Sequence, residues 1–150
     1  MLSQREFELI LDDTSKVIHG NIDWIEDEYR SPSVEFRAEI QSEAGYPLFV
    51  KGSYNRRIKA VTFAMIYQRS ARIYALDLGK DHRNPDGTQV GPKHKHRWCE
   101  DFRDKEAYVP ANITATAENP VEVWSQFCQE ANLRHEGTMR PPADGRLFDA

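Results

Sequence analysis

Apolar residues recur at helical intervals near both ends of the chain. Ser3 and Glu6 have the spacing of an N-terminal capping box, and the apolar stripe after them predicts a first helix that ends at Gly20. The segment 119–122 reads Asn-Pro-Val-Glu, which places a cap, a proline at the first helical position and an acid in the first turn. The two stripes are Phe7, Ile10, Leu11, Val17 and Ile18, and Val121, Trp124, Phe127, Cys128 and Ala131.

Between these helices the hydrophobic period changes to two. Residues 34–40 alternate strictly between apolar and polar side chains, which is typical of an antiparallel strand with one solvent-exposed face. Residues 58–67 are apolar on both faces, as in a central strand. Further strands are predicted near 22–24, 48–54, 72–78, 94–98 and 105–109.

These elements predict one α+β domain over residues 1–150. We expect an N-terminal helix, a mainly antiparallel sheet of five to six strands, a C-terminal helix, and both helices on one face of the sheet. The tail from about residue 137 is expected to be irregular. No apolar run approaches the ~20 residues of a membrane span, and the N-terminus does not resemble a signal peptide, so we expect a cytoplasmic protein without membrane contact.

The distribution of charge is more informative than the net charge of −4. Residues 51–105 carry 13 basic and 6 acidic side chains, whereas both flanking segments are acidic. A basic centre of this kind indicates a surface that meets an anionic partner, or one that docks on the protein's own acidic flanks. A solvated strand face explains part of the same pattern.

The segment 82–98 contains three of the five histidines, His82, His94 and His96. In an extended strand His94 and His96 share one face at a spacing of roughly 7 Å, while Lys95 and Arg97 share the other. This spacing suits two metal ligands, or an acid and a base on either side of one substrate. The sequence therefore points to a site here without defining its reaction.

A second basic cluster spans residues 51–59 and contains no acid. Arginine forks suit phosphate oxygens, and an aromatic ring can stack on an unpaired base. We therefore expect contacts with nucleic acid from both clusters, namely from Lys51, Tyr54, Arg56, Arg57, Lys95 and Arg97. A charged hairpin tip is the simpler explanation of the 51–59 cluster taken alone.

The histidines admit three interpretations. In the first, His82, His94 and His96 supply the acid and the base for metal-independent RNA cleavage, with Arg56 or Arg57 stabilising charge on the phosphorane. In the second, His94 and His96 bind a divalent transition metal with Asp77 or His82 as the third ligand. In the third, the histidines belong to a basic strand that contacts a partner. Asp77 itself is either a site residue or a carboxylate that caps the following loop.

Several common activities lose support because their motifs are absent. The sequence contains no Gly-x-x-x-x-Gly-Lys, Gly-x-Gly-x-x-Gly, Gly-x-Ser-x-Gly or His-Glu-x-x-His pattern. Common nucleotide hydrolysis, dinucleotide cofactors, hydrolase elbows and zincin proteases are therefore disfavoured.

One stretch of the chain resembles a poorly characterised family of small proteins from bacteria, phages and mobile elements. The resemblance covers about residues 54–108 and rests on Leu-Asp-Leu-Gly-Lys-Asp-His at 76–82, Asn-Pro-Asp-Gly at 84–87 and His-Lys-His at 94–96. It implies a phage-linked or plasmid-linked setting and no established activity. The family often has two glycines where this chain has Gly79 and Lys80. The layout is also similar in outline to small endoribonuclease toxins of the RelE and barnase type.

The leading hypothesis is a small cytoplasmic endoribonuclease-like protein, a toxin or phage-defence component, that needs no cofactor. The alternative is a non-catalytic mobile-element protein that binds and modulates a host or phage nucleic-acid machine. Its acidic segment 26–28 would mimic nucleic acid while its basic centre docks elsewhere, and a protein partner encoded nearby belongs to the same expectation. A metal-dependent hydrolase that uses His94 and His96 is the third hypothesis.

Overall fold

A seven-stranded antiparallel sheet forms the body of the computed structural model, which describes residues 2–26, 29 and 32–143. Strands β2 to β8 follow one another in the sheet in chain order, and β1 pairs with β9 as a separate two-stranded parallel ribbon. The elements are α1 (Gln4–Asp12), β1 (Val17–His19), β2 (Ile25–Glu26), β3 (Ser33–Ile40), β4 (Leu48–Asn55), β5 (Ala60–Tyr67), β6 (Ala71–Leu78), β7 (Lys93–Arg97), β8 (Ala107–Tyr108), α2 (Pro120–Glu130) and β9 (Arg134–Glu136).

The predicted α+β class is confirmed, with more strands than expected. The main sheet has seven strands in place of five or six, because the short segments β2 and β8 extend it at both edges. Residues 138–140, placed in the irregular tail by the sequence, hydrogen-bond to residues 21–22. Asp27 and Glu28 of the acidic segment 26–28, and the tail from residue 144, lie outside the described residues.

The first helix is shorter than the sequence predicts. It begins with the expected capping box at Ser3 and Glu6 but ends at Asp12, and Val17–His19 is a strand. The fully buried Lys16 accounts for this end, because its ammonium group donates to the carbonyl oxygens of Ile10, Leu11 and Asp13 over 2.5–2.9 Å. The Ile10 carbonyl group also accepts from the Asp13 amide over 3.3 Å, and that of Leu11 from the Asn132 side chain over 3.0 Å, so the lysine adds a charged donor to carbonyl groups where the helix ends.

The two faces of the sheet differ in chemistry. Phe36, Phe63 and Leu76 project from one face into a continuous core, and Phe7 of α1 and Phe127 of α2 pack into that same core. Both helices thus cover one face, as the sequence predicted. The opposite face carries polar side chains and is left open by the helices. Within the described residues, neither helix is long and apolar enough to cross a membrane.

We predict that Lys16→Met destabilises the protein by about 3 kcal/mol at pH 7, because buried carbonyl groups at the end of α1 lose a charged donor. Urea unfolding followed by circular dichroism measures the change. Arg5→Met, on the exposed side of the same helix, is the matched control and should shift stability by less than about 0.5 kcal/mol. Equal effects of the two substitutions would contradict the capping role of Lys16.

Candidate functional site

A cavity of about 830 Å³ opens on the sheet face that the helices leave uncovered. Five of its lining side chains form one row, because direct cross-strand partners lie side by side on the same face. From β3 to β7 the row is Glu35, Ser53, Thr62, Asp77 and His94. Neighbouring strands lie about 4.8 Å apart, so the row spans about 19 Å. The register alone therefore places Asp77 between a hydroxyl and an imidazole.

Asp77 connects the two histidines of β7. Its Oδ2 lies 3.2 Å from Nε2 of His94 and 3.2 Å from Nε2 of His96, and its Oδ1 accepts a hydrogen bond from the Thr62 hydroxyl. Asp77, His94 and His96 are respectively 6%, 2% and 3% exposed. Three ionisable groups are thus held together with little access to water.

The polar neighbours of Asp77 decide its ionisation. Burial raises the pKa of its carboxyl group, but its contacts with the His94 and His96 rings and the hydrogen bond from the Thr62 hydroxyl outweigh burial and bring the pKa far below its ordinary value. Burial lowers the pKa of His94, while its contacts with Asp77 and the Gly91 carbonyl group raise it, and the net change is upward. The carboxylate is therefore ionised at neutral pH.

A backbone carbonyl group orients each of the three imidazole rings. His94 Nδ1 lies 3.0 Å from the oxygen of Gly91, and His96 Nδ1 lies 2.6 Å from the oxygen of Asp104. His82 Nε2 lies 2.6 Å from the oxygen of Lys105. A carbonyl oxygen only accepts hydrogen bonds, so each of these nitrogens carries a proton. In His94 and His96 the other ring nitrogen, Nε2, then faces Asp77 Oδ2.

His82 completes a cluster of three imidazoles. Its ring centroid lies 5.3 Å from that of His94 and 4.6 Å from that of His96, and the centroids of His94 and His96 are 4.9 Å apart. One candidate ligand nitrogen from each ring falls within 4.8 Å of the others. The β7 rings therefore lie closer together than the roughly 7 Å expected from strand geometry. Among the described residues, this cluster has the side chains to hold a metal ion.

Hydrogen bonds fix the loop that carries His82. Asp81 Oδ1 accepts from the amides of His82 and Gly91 at 2.8 Å each. Asn84 donates to the carbonyl group of Ala107 over 2.9 Å and accepts from its amide over 2.8 Å. These two hydrogen bonds between Asn84 and Ala107 hold the loop against β8.

Four cationic side chains, Lys51, Arg57, Lys80 and Lys105, also line the cavity. None of them has an ion-pair partner among residues 2–26, 29 and 32–143. Arg72, a fifth lining cation, is paired with Asp104 at 2.8 Å. The four unpaired cations give the cavity a capacity to bind anions.

The structure brings together part of the set predicted from the sequence. The cavity contains His82, His94, His96, Asp77, Lys51 and Arg57. The basic 51–59 segment and the histidine segment therefore do open onto one concavity.

The other four predicted residues lie elsewhere, and their expected placement is corrected. Tyr54 is 3% exposed and packs in the core beside Trp24, so it is not positioned to stack on a base in the cavity. The guanidinium group of Arg56 donates to the Pro32 carbonyl group over 2.7 Å and pairs with Glu26 at 3.0 Å.

Lys95 and Arg97 belong to the helix-bearing face. Lys95 is fully buried and bonds to Glu130 and to the Tyr74 hydroxyl, the latter over 2.8 Å. Arg97 lies over the ring of Phe7 at 5.5 Å. Strand alternation places both residues on the face opposite to His94 and His96.

Sequence reasoning missed Thr62, Asp81 and Asn84. Thr62 had a signal, since it is the one hydroxyl in an otherwise apolar central strand segment at 60–66. Asn84 belongs to the Asn-Pro-Asp-Gly segment at 84–87, and its side chain anchors the loop to Ala107.

Comparison with known families gives a match over most of the chain. Residues 2–133 match the family described as "Family of unknown function (DUF6978)". The chain belongs to this family. The expectation of a poorly characterised family is confirmed, and the match extends beyond residues 54–108 to nearly the whole described fold. No curated protein and no solved structure matches the chain.

We predict that Asn84→Ala loosens the loop that carries His82 without unfolding the sheet, because two hydrogen bonds to Ala107 are lost. Hydrogen–deuterium exchange followed by mass spectrometry should show amide exchange of residues 80–92 accelerated about 5- to 30-fold. The control is Asn112→Ala, at an exposed position. An unchanged exchange rate over 80–92 would show that Asn84 does not hold the loop.

Proposed function

We propose that this chain is a metal-dependent phosphodiesterase whose metal ion is bound by His82, His94, His96 and Asp77. The observation that carries the proposal is that His94 and His96 each have an acceptor at both ring nitrogens, a carbonyl oxygen at Nδ1 and Asp77 Oδ2 at Nε2. This contact pattern has a simple explanation in metal ligation.

Proton counting supports that explanation. A neutral imidazole carries one proton, and in both rings the carbonyl oxygen already requires it at Nδ1. Two neutral rings would therefore point lone pairs at the carboxylate of Asp77. One doubly protonated ring would still leave the lone pair of the other ring facing the carboxylate, and two would place two cations at a centroid distance of 4.9 Å in a buried site. One divalent cation in place of the two protons satisfies all three groups.

The distances and the surroundings agree with a metal. Ligands bonded at about 2.0–2.2 Å lie about 3.3–3.6 Å apart around a tetrahedral ion and about 2.8–3.1 Å apart at the right angles of a five- or six-coordinate ion, so the 3.2 Å between Asp77 Oδ2 and each Nε2 lies between the two geometries. With four protein ligands, only the higher coordination number would leave a position for water. Ligating histidines commonly donate their second ring proton to a backbone carbonyl group, as all three rings do here. Imidazole nitrogen with one carboxylate favours zinc, iron, nickel or copper over magnesium or calcium.

A metal at this position would supply hydrolytic chemistry. Such a metal would hold a water in the position that its protein ligands leave open and would make that water a nucleophile near neutral pH. In the hydrolysis, the water oxygen would bond to phosphorus as the bond from phosphorus to the leaving oxygen breaks, and the proton that the water loses would pass to the leaving oxygen. The products are a phosphate monoester and an alcohol. The unpaired cations Lys51, Arg57, Lys80 and Lys105 favour an anionic ester as substrate.

The metal centre is tested by elemental analysis of purified protein dialysed against a mixture of divalent transition metals. We expect about one equivalent of metal per chain, and loss of most of it in His94→Ala combined with His96→Ala. His19→Ala is the control. His19 is exposed and does not line the cavity, and its Nδ1 lies 3.1 Å from a carboxylate oxygen of Glu136. Metal content that is equal in the control and in the double variant would refute the ligand assignment.

RNA is the first substrate to test, because cleavage of RNA by these histidines is what the sequence led us to expect. Wild-type protein should cleave RNA at pH 7, lose activity in EDTA and regain it when the metal is returned. The double histidine variant should be inactive, and His19→Ala should be fully active. Undiminished cleavage in EDTA would overturn the role of the metal and support acid–base catalysis by the same imidazoles. No cleavage by the metal-loaded protein of RNA, or of the small ester bis(p-nitrophenyl) phosphate, would overturn the phosphodiesterase assignment.

A further inference from the structure

Building on the phosphodiesterase proposal, we infer a second subsite in the same cavity, formed by Lys51 and Arg57, that binds the phosphate backbone of a single-stranded polynucleotide away from the cleaved bond. Both residues line the cavity, and neither has an ion-pair partner in the described parts of the chain. They belong to β4 and to the turn after it, whereas the metal-binding groups belong to β6, β7 and the loop between them.

Strand pairing sets the separation between the two parts of the cavity. Lys51 pairs with Ala64, Ala64 with Ala75, and Ala75 with His96. Three strand spacings of about 4.8 Å separate the backbone of Lys51 from that of His96 by about 14 Å. Successive phosphates of one nucleic-acid strand lie closer together than this. A chain cleaved at the metal would therefore present a phosphate other than the reacting one to Lys51 and Arg57.

Small side chains leave room for a polynucleotide chain between the subsite and the metal-binding groups. Ser53 and Thr62, which line the cavity, lie between Glu35 and Asp77 in the row described above. Ala64 and Ala75, between Lys51 and His96, are buried and do not belong to the lining. A volume of about 830 Å³ is within the range of ordinary ligand cavities and far too small for a duplex. Glu35 ends the row on β3, so the anion-binding region is bounded on that side by a carboxylate.

The lining also indicates how the polynucleotide is recognised. Among the described lining residues there is no phenylalanine, tyrosine or tryptophan. Bases therefore meet none of the three large aromatic side chains in the described lining, and we expect binding to depend mainly on the sugar–phosphate backbone. Recognition of this kind depends strongly on salt and weakly on sequence.

The test compares two substrates in two double variants. Lys51→Gln with Arg57→Gln removes the subsite, and Arg5→Gln with Arg69→Gln removes the same charge at two exposed positions outside the cavity lining. The substrates are a hexanucleotide of mixed sequence, in RNA and DNA forms, and bis(p-nitrophenyl) phosphate, which has no second phosphate. Metal content is measured in every protein to confirm that the centre is intact.

For the hexanucleotide we expect the subsite variant to raise KM about tenfold with little change in kcat. The slope of log(kcat/KM) against log salt concentration should become shallower by about 1.4, as for the loss of two phosphate contacts on a single strand. Hydrolysis of bis(p-nitrophenyl) phosphate should not change. Comparison of the RNA and DNA hexamers shows which sugar the site accepts. Equal KM values in the subsite and control variants would refute the subsite.

A binding measurement separates failure of the subsite from failure of the phosphodiesterase proposal. Fluorescence anisotropy of a labelled hexanucleotide is recorded with metal-free protein in EDTA, where no cleavage by the proposed mechanism occurs. Weaker binding by the subsite variant than by the control supports the subsite even when wild-type protein proves inactive. Equal binding by the two variants refutes the subsite whatever the catalytic result.

Discussion

The register between strands β6 and β7 is the constraint on which the site depends. Asp77 is the direct partner of His94, and the pleat returns His96 to the same face two residues later. A shift of one residue would turn both imidazoles towards the helix-bearing core and bring Lys95 into the cavity. The close approach of a carboxylate to two imidazoles is therefore a property of one strand pairing, and loops only complete it.

The opposite face of β7 supports that register. Lys95 is fully buried between the histidines, where burial lowers its pKa to about 7, and it bonds to Glu130 of α2 and to the Tyr74 hydroxyl. A buried ammonium group without partners is costly, and these partners lie on the helix side alone. We interpret the buried pair as a device that specifies the strand register. On β7, Lys95 therefore fixes the strand from the helix-bearing face, and His94 and His96 form the site on the opposite face.

Periodicity of apolar residues predicted those features that are determined by the local sequence alone. Alternation was sufficient to place His94 and His96 on a common face. It misjudged the end of α1 because Val17 and Ile18 fit a helical stripe as well as a strand. The nucleic-acid interpretation of the 51–59 cluster misplaced Tyr54, which shares the buried face of β4 with Gly52, where a side chain would lie 2.0 Å from the ring of Phe36. The glycine is there to admit a neighbour's ring, and that neighbour is known only once the sheet is assembled.

The parts of the site that sequence did not reveal are largely backbone. Carbonyl groups orient the three imidazoles, and every residue type has a carbonyl group, so no pattern of side chains marks them. The four proposed ligands differ in how they are supported. Asp77, His94 and His96 stand on paired strands, so sheet formation fixes their positions before any ion binds. Only His82 stands on a loop, and Asn84 ties that loop to β8. Metal binding would therefore need to order only the loop that carries His82, and the hydrogen bonds of that loop already reduce the entropy cost of ordering it.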